Sequence, residues 1–370
     1  MMGQTAGKLL VRGNEAVGWG ALMADCAAFF GYPISPQNET IEWFAREFPQ
    51  RGKVFVQSQC ETGSINMLYG GAATGVRCMT STSSPGWGLM QETMSHLANA
   101  ELPCVIVLVM RGGPGQGTTR HAQMDYTSIT RGGGQGGYKN IVLAPWSVQE
   151  IHDLMQLAFY LADKYRNPVI VATDAILGQM AEPLEVTKID LGPLPEKDWA
   201  LKGTAHRTDG RRRGLQCSTG FSPTPAHPTY LHLVESLDQK FRAIKETEVR
   251  YEAYRTEDAR LSLVAFGSMA RVAQEAVDMA RQEGLKVGLF RPITLFPFPH
   301  KELRGLAQRG KKLLVVEDNM GQMMEDVELA VAERCPIHFL GMMARHESQE
   351  QGMIFPDRVL EEMRGLYGEG

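Results

Sequence analysis

The sequence predicts an α/β fold, with a doubly wound parallel sheet followed by a smaller α/β domain. The strongest observation is the run Pro103–Met110, which is apolar without alternation, as in a strand covered on both faces of a parallel sheet. A second is the repeated alternation of strand-length and helix-length segments, which is typical of βα units. A third is the run Gly31–Pro36, whose glycine and two prolines predict a loop at the end of a buried strand.

The first half of the chain predicts helices and strands in alternation. Asn14–Cys26 carries apolar residues at helical spacing. Glu61–Gly75 is small and apolar nearly all round, which predicts a buried helix. Ser81–Gly86 predicts a turn. The other predicted helices are Thr40–Phe48, Gly88–Ala100 and Ser147–Tyr165, and the predicted strands are Phe29–Tyr32, Lys53–Gln57, Arg77–Ser81, Pro103–Met110, Asn140–Leu143 and Pro168–Thr173.

The second half predicts a connecting segment and a further α/β unit. We place a first domain at 1–185, a linker with a surface helix at 186–257 and a second domain at 258–370, because a long irregular connection is atypical inside one compact domain. Glu235–Tyr254 is charged and predicts the linker helix. The second unit predicts strands at Ser262–Phe266, Lys286–Phe290, Lys312–Glu317 and Pro336–Gly341, and helices at Ala270–Glu283, from His300 and after Gly321.

Charge and cysteine usage exclude several classes of protein. The formal net charge of −4 gives no support for nucleic acid or an anionic membrane as a partner, and Arg211–Arg213 is interpreted as a solvated loop. None of the six cysteines forms a CxxC pair, which indicates reduced thiols and argues against an iron–sulfur cluster or structural zinc held by this chain. Met1–Lys8 lacks the apolar core of a signal peptide, so a cytoplasmic location is expected.

A glycine-rich loop follows the strand Pro103–Met110. The loop Gly112–Arg120 lacks the Lys-Ser/Thr ending of a Walker A motif and the GxGxxG spacing of a dinucleotide turn, so neither ATP nor NAD is supported. Arg111 stands where the apolar strand opens into glycines, and a guanidinium there can bind a carboxylate or phosphate through two parallel hydrogen bonds. A simple connection between elements is the alternative.

Two interpretations of Glu61 remain open from the residue pattern. A carboxylate in the first turn of a helix interacts favourably with the helix dipole. Alternatively, a carboxyl group at the start of an apolar helix lies in a dry environment, where it can exchange a proton or hold a hydrogen bond to a ring nitrogen.

A serine hydrolase is not supported, and His96 and His121 are interpreted as surface or packing residues. Trp87 and Tyr126 line a large apolar pocket or, on the safer interpretation, only pack.

Seven segments taken in order resemble one family. They are Gly13-Asn-Glu-Ala16, Gly31-Tyr-Pro-Ile-Ser-Pro-Gln-Asn38, Glu61 with Ile65-Asn-Met-Leu-Tyr-Gly70, Ser81-Thr-Ser-Ser-Pro-Gly86, Val109-Met-Arg-Gly-Gly-Pro-Gly115, Asp163-Lys-Tyr-Arg-Asn-Pro-Val169 and Val316-Glu-Asp-Asn-Met-Gly321. The chain resembles the α subunit of the thiamine-diphosphate-dependent 2-oxoacid:ferredoxin oxidoreductases, closest to the branched-chain (2-oxoisovalerate) type, with the 2-oxoglutarate type a near relative. The resemblance covers about residues 7–185 and 258–365.

This resemblance implies a fold and a division of labour. The first domain is similar to a thiamine-diphosphate-binding fold of the pyrimidine-binding type, and the second to a transketolase C-terminal domain. A β subunit binds the diphosphate and Mg²⁺, and [4Fe-4S] clusters belong to partner subunits, among them a γ and a ferredoxin-like δ subunit. The implied reaction is oxidative decarboxylation of a 2-oxoacid to an acyl-CoA and CO₂, with coenzyme A as co-substrate and ferredoxin as electron partner.

The resemblance also implies roles for single residues. Glu61 matches the glutamate that hydrogen-bonds the pyrimidine N1′ and favours the imino tautomer of that ring. The segment Tyr32, Pro33 and Ile34 lies against the cofactor. Ser35 stands where many relatives have threonine and faces the substrate, and Arg111 holds the substrate carboxylate, with Arg120 as a second positive charge.

Substrate choice and two rival functions stay open. The loop Gly115–Arg120 departs from the patterns of both relatives, so an aliphatic, 2-oxoglutarate-like or aromatic substrate is possible. A thiamine enzyme that is not linked to ferredoxin, of transketolase or sulfopyruvate-decarboxylase type, is one rival. A non-catalytic assembly subunit is the other.

Overall fold

The computed structural model describes residues 7–202, 230–309, 312–344 and 353–368. Predictions that concern Arg211–Arg213 and Cys217 lie outside these residues. The strands, in chain order, are β1 (Leu9–Arg12), β2 (Ala28–Gly31), β3 (Val54–Gln57), β4 (Cys78–Ser83), β5 (Cys104–Met110), β6 (Ile141–Leu143), β7 (Pro168–Asp174), β8 (Ala181–Leu184), β9 (Tyr251–Tyr254), β10 (Leu261–Val264), β11 (Val287–Pro292), β12 (Thr294–Phe296), β13 (Lys312–Val316) and β14 (Ile337–Leu340).

The helices connect these strands. They are α1 (Gly13–Met23), α2 (Asn38–Gln50), α3 (Glu61–Ala73), α4 (Ser84–Asn99), α5 (Tyr126–Arg131), α6 (Val148–Tyr165), α7 (Ala175–Gln179), α8 (Tyr230–Thr247), α9 (Gly267–Gln282), α10 (His300–Arg309), α11 (Gln322–Val331) and α12 (Pro356–Gly368). Among the described residues, no helix is both long and apolar enough to cross a membrane.

A seven-stranded sheet organises the first half. Its order is β12-β6-β7-β5-β4-β2-β3, and all neighbours pair in parallel except β12, which runs antiparallel to β6. Every residue of β5 and of β7 is buried, so this part of the sheet is covered on both faces, as the apolar run predicts. In a parallel sheet the carboxyl ends of the strands share one edge, so the loops after β2, β4 and β5 lie near one another.

A five-stranded sheet organises the second half. Its order is β14-β13-β10-β11-β9, parallel except for β9, which pairs antiparallel with β11. The two halves interlock, since β12 follows β11 in sequence yet completes the first sheet. A buried ion pair joins them as well: the Arg291 guanidinium contacts Glu150 of α6 at 2.6 Å and stacks over Trp146, 4.0 Å from the ring centroid. The limits at 185 and 257 stay predictions.

Two local predictions are wrong. The turn predicted at Ser81–Gly86 is the end of β4 and the first turn of α4, because Ser83 is extended and Pro85 occupies the first turn of the helix, where its missing N–H costs nothing. The helix predicted to continue to Tyr254 ends at Thr247, and Tyr251–Tyr254 is β9, whose partner β11 supplies hydrogen bonds that a sequence pattern cannot show.

Candidate functional site

The loop after β2 is held in place by Gln37, a fully buried amide. Its Nε2 donates to the carbonyl oxygen of Tyr32 at 3.2 Å, its backbone N–H donates to the carbonyl of Ile34 at 3.1 Å, and its Oε1 accepts from the Ser81 hydroxyl at 2.6 Å. The chain is thereby turned so that Pro33 is exposed while Tyr32 and Ile34 are half-buried. The predicted cofactor-facing segment is thus a braced loop at the carboxyl edge of the sheet.

Glu61 is the first residue of α3 and is only 6 % exposed. Among the described residues, no side chain or backbone group pairs with its carboxylate. Gly86, in the first turn of α4, lies directly against it: a Cβ at that glycine would be 2.6 Å from Glu61 Cγ and 2.7 Å from Oε1. A buried carboxylate without a partner is costly, so this arrangement indicates a group that is completed by a hydrogen-bond donor from a ligand.

Arg111 closes the loop after β5 onto the loop after β2. One guanidinium nitrogen, Nη1, donates to the carbonyl oxygen of Ser35 at 2.6 Å, and Nη2 donates to the carbonyl oxygen of Gln116 at 3.0 Å. The side chain is 5 % exposed, and its Nε has no hydrogen-bond partner among the described residues. The structure therefore brings Arg111 and the backbone of Ser35 together and leaves one buried guanidinium N–H without a partner among the described residues.

A short chain of hydrogen bonds lies behind Arg111. Its backbone N–H donates to Ser84 Oγ at 3.0 Å, and the Ser84 hydroxyl donates to the carboxylate of Asp125. Burial raises the pKa of Asp125 to about 6, against the opposing effects of the Ser84 hydrogen bond and the nearby Arg111 charge. Asp125 is thus a titratable group one hydroxyl away from the predicted substrate arginine.

A cleft of about 690 Å³ opens beside these loops. Ser35 and Arg120 line it, and the Arg120 side chain is exposed and makes no hydrogen bond or ion pair with the described residues. Its other lining residues include polar, charged and apolar side chains: Pro36, Asn38, Glu39, Thr119, His121, Ala175, Ile176, Gln179, Met180 and Met353. Ser35 therefore faces the cleft while its carbonyl is bound by Arg111.

Sequence reasoning missed several residues of this region. Gln37 and Asp125 show no periodic signal and are recognised only through their partners. Gly86 is the last residue of the Ser81–Gly86 segment that resembles the family, and its contact with Glu61 comes from packing. His121, interpreted as an ordinary histidine, lines the cleft with Nδ1 2.6 Å from Asp318 Oδ2. Trp87 and Tyr126 are 1 % exposed and hydrogen-bonded to Ser128 and Asp326, so the packing interpretation is the correct one.

Comparison with known proteins identifies the family. A sequence model of the pyruvate flavodoxin/ferredoxin oxidoreductase thiamine diphosphate-binding domain matches residues 19–260, and a model of pyruvate:ferredoxin oxidoreductase core domain II matches residues 259–351. The chain belongs to the 2-oxoacid:ferredoxin oxidoreductase family. The predicted family, its α/β thiamine-type fold and its oxidoreductase class are confirmed.

Curated relatives within this oxidoreductase family cover most of the chain. It is 49 % identical over 321 residues to ketoisovalerate oxidoreductase subunit VorB of Methanothermobacter marburgensis, spanning 87 % of this chain and 89 % of that protein. It is 37 % identical over 348 residues to 2-oxoglutarate synthase subunit KorA of Methanothermobacter thermautotrophicus, spanning 89 % of this chain and 93 % of that protein. Both relatives are subunits of larger enzymes by name.

Solved structures agree with this assignment to the oxidoreductase family. The 2-oxoglutarate:ferredoxin oxidoreductase of Magnetococcus marinus, solved with 2-oxoglutarate, coenzyme A and succinyl-CoA, aligns with a TM-score of 0.85 at 25 % identity. The match covers 97 % of this chain and 65 % of that one, so this chain spans about two thirds of its length. An inactive split-gene transketolase aligns with a TM-score of 0.57 at 13 % identity and shows the fold alone.

Proposed function

We propose that this chain is the pyrimidine-binding α subunit of a CoA-acylating 2-oxoacid:ferredoxin oxidoreductase. The enzyme converts a 2-oxoacid to an acyl-CoA and CO₂ and passes electrons to ferredoxin. One observation supports the assignment above the rest: the buried carboxylate of Glu61 has no partner among the described residues and lies against Gly86. A buried carboxylate held in this way suits a ligand that brings an N–H.

The residues present fit the aminopyrimidine half of thiamine diphosphate. Glu61 would hold the ring nitrogen N1′, and the braced segment Tyr32, Pro33 and Ile34 would lie against the ring. Bound thiamine diphosphate supplies a nucleophilic thiazolium carbon and an electron sink for decarboxylation. The contribution of Glu61 is to hold a proton at N1′, and its dry surroundings keep that proton from exchanging with bulk water.

The substrate carboxylate is assigned to Arg111 and Ser35. The free Nε of Arg111 and the Ser35 hydroxyl, which accepts only a 3.4 Å hydrogen bond from Asn38, lie on loops that Arg111 itself joins. Arg120 adds an exposed positive charge at the cleft. The apolar lining residues Ile176 and Met180 and the 49 % identity to VorB favour a branched-chain 2-oxoacid over 2-oxoglutarate or an aromatic one.

The remaining parts of the enzyme are assigned to partners. A β subunit would bind the diphosphate and Mg²⁺, while γ and ferredoxin-like δ subunits would complete the complex, with [4Fe-4S] clusters outside this chain. Five described cysteines are free thiols, and burial raises the pKa of Cys26 to about 12 and that of Cys104 further still, which suits inert core residues. A cytoplasmic location stays a prediction.

The proposal is tested on the complex purified with its partner subunits. CoA-dependent viologen reduction is measured with a panel of branched-chain, acidic and aromatic 2-oxoacids, and we expect the highest kcat/KM for a branched-chain substrate. Glu61→Gln should abolish turnover while the complex still assembles, and the purified chain alone should be inactive. Near-normal turnover by Glu61→Gln would contradict the catalytic assignment, and thiamine-dependent activity of the chain alone would contradict the divided site.

A further inference from the structure

The imidazole of His121 is held in the wall of the cleft by a buried carboxylate. Its Nδ1 lies 2.6 Å from Oδ2 of Asp318, and the two side chains are 11 % and 1 % exposed. Asp318 comes from the loop after β13, in the other half of the chain. Its backbone is fixed in both directions, since Gln123 N–H donates to the Asp318 carbonyl at 2.8 Å and Asp318 N–H donates to Gln123 Oε1 at 3.1 Å.

The contact with Asp318 determines which ring nitrogen of His121 can accept a proton. A carboxylate at Nδ1 favours a proton on that nitrogen, which leaves the lone pair on Nε2. Among the described residues, none forms a hydrogen bond with Nε2. Because the ring lines the cleft, the pair has the chemistry of a base oriented by a carboxylate.

The charged groups around His121 come from several elements. Asp318 contacts the ring, and Asp174, the N-cap of α7, lies close enough to interact with it electrostatically while accepting a hydrogen bond from Ser268. Arg120 and Glu39 line the same cleft. The charged groups near the ring are therefore two carboxylates, one at the end of β7 and one in the loop after β13, and Arg120, which offers a positive charge to an anionic ligand.

We infer that His121, oriented by Asp318, accepts the proton of the thiol that serves as acyl acceptor. The inference rests on the proposed function, which requires a CoA thiol to enter near Ser35. A thiol with a pKa of about 8.5 is mostly protonated at neutral pH, and only the thiolate is a strong nucleophile. In this step the S–H bond breaks, an N–H bond forms at Nε2, and the electron pair of the S–H bond stays on the sulfur, which becomes a thiolate. No oxidant is consumed in it.

The test uses the purified complex with His121→Gln and His121→Ala, and with His96→Gln as the control, because His96 is an exposed histidine of α4 with no part in the cleft. We expect His121→Gln to lower kcat/KM for CoA by about 100-fold at neutral pH. Release of CO₂ from the 2-oxoacid in a single turnover without CoA should be unchanged. Turnover of the variant should rise about tenfold per pH unit until the thiol ionises by itself near pH 8.5. Imidazole added to His121→Ala should restore activity.

A second readout does not depend on turnover. The ultraviolet absorbance of a thiolate, which the thiol lacks, reports whether CoA is ionised when it binds to the complex without 2-oxoacid. Wild type and His96→Gln should show this absorbance on addition of CoA at neutral pH, and both His121 variants should lose it. Equal losses of CO₂ release and CoA turnover, with a pH profile parallel to that of wild type, would show a structural role and overturn the inference. A wild-type complex without any 2-oxoacid-dependent activity would overturn the proposed function itself.

Discussion

The guanidinium of Arg111 donates a 2.6 Å hydrogen bond to the carbonyl oxygen of Ser35, so the two predicted substrate residues contact each other directly. The bond joins the loop after β5 to the loop after β2. Nη2 is used as well, by the carbonyl oxygen of Gln116. Arg111 therefore joins the two loops with two nitrogens, and its buried Nε has no hydrogen-bond partner among the described residues.

Arg111→Lys is expected to keep the positive charge at this position and to lose the paired hydrogen bonds of the guanidinium. Lysine keeps the positive charge but cannot reach two carbonyl oxygens in a fixed fork. We expect a rise in KM for the 2-oxoacid and a loss of about 1–3 kcal/mol in the free energy of unfolding, since the partly buried carbonyl oxygen of Ser35 loses its charged donor. Steady-state kinetics and urea unfolding measure the two effects. In the control Arg120→Lys, whose side chain is exposed, stability should change by less than about 0.5 kcal/mol. Equal destabilisation by both variants would contradict the bracing role.

Gly86→Ala is expected to displace Glu61. The added Cβ would lie 2.2 Å from Thr82 Oγ1, 2.6 Å from Glu61 Cγ and 2.7 Å from Glu61 Oε1, all closer than carbon and oxygen atoms pack. The carboxylate must move or the α4 turn must shift, and we expect turnover to fall to near that of Glu61→Gln. Gly88→Ala, two residues further along the same helix, has nothing within 4 Å of its Cβ and should stabilise α4 by about 0.4–1 kcal/mol at full activity. Comparable activity in both variants would show that the Glu61 position is not critical.

Gln37→Leu is expected to release the loop after β2. The substitution removes the donor to Tyr32 and the acceptor of Ser81 in a fully buried place, and the cost is about 1–3 kcal/mol for each polar group left without a partner. Ser81→Ala removes only one of these partners and should cost less. Urea unfolding of both variants and of the double variant measures the coupling, and additive effects would indicate that Gln37 and Ser81 do not act as a unit.

The sequence predicted the strands that define the first sheet and the residues that meet at its carboxyl edge. It did so because buried parallel strands are apolar without interruption and loop residues break that pattern, as at Gly31–Pro36 and Arg111. It did not predict β9 or β12, whose place depends on antiparallel partners far away in the chain.

The hydrogen bonds between polar side chains of the site could not be predicted from the sequence for a related reason. Three polar residues of the site bind partners that are distant in the sequence, and no local pattern encodes such pairs. The separations are 44 residues for Gln37, 41 for Asp125 and 197 for Asp318. Glu61 was found by resemblance, while its contact with Gly86 required the packing of α3 on α4. Motifs therefore predicted Glu61 and Arg111 as candidate site residues, and the structure supplied the residues that contact them.

Asp125→Asn is expected to change how stability depends on pH. The pKa of Asp125 is about 6 in the folded chain and 3.8 as a reference, with burial as the main cause. The unfolded chain therefore loses this proton first, and the group destabilises the fold increasingly as pH rises from about 4 to about 6. Asparagine cannot ionise, so the stability of the variant relative to wild type should increase over this range by about 1–3 kcal/mol and stay constant above it. The altered hydrogen bond to Ser84 changes the free energy of unfolding by the same amount at every pH, so it does not affect the pH dependence.

Thermal unfolding of the purified chain at pH values from about 4 to about 7 measures this difference. The control Glu328→Gln removes an exposed carboxylate of α11 and should leave stability within about 0.5 kcal/mol of wild type throughout. Because Ser84 joins Asp125 to the backbone N–H of Arg111, the same ionisation should alter KM for the 2-oxoacid in wild type and not in the variant. A stability difference that is flat with pH would show that Asp125 titrates as an ordinary surface carboxylate and that Ser84 alone positions Arg111.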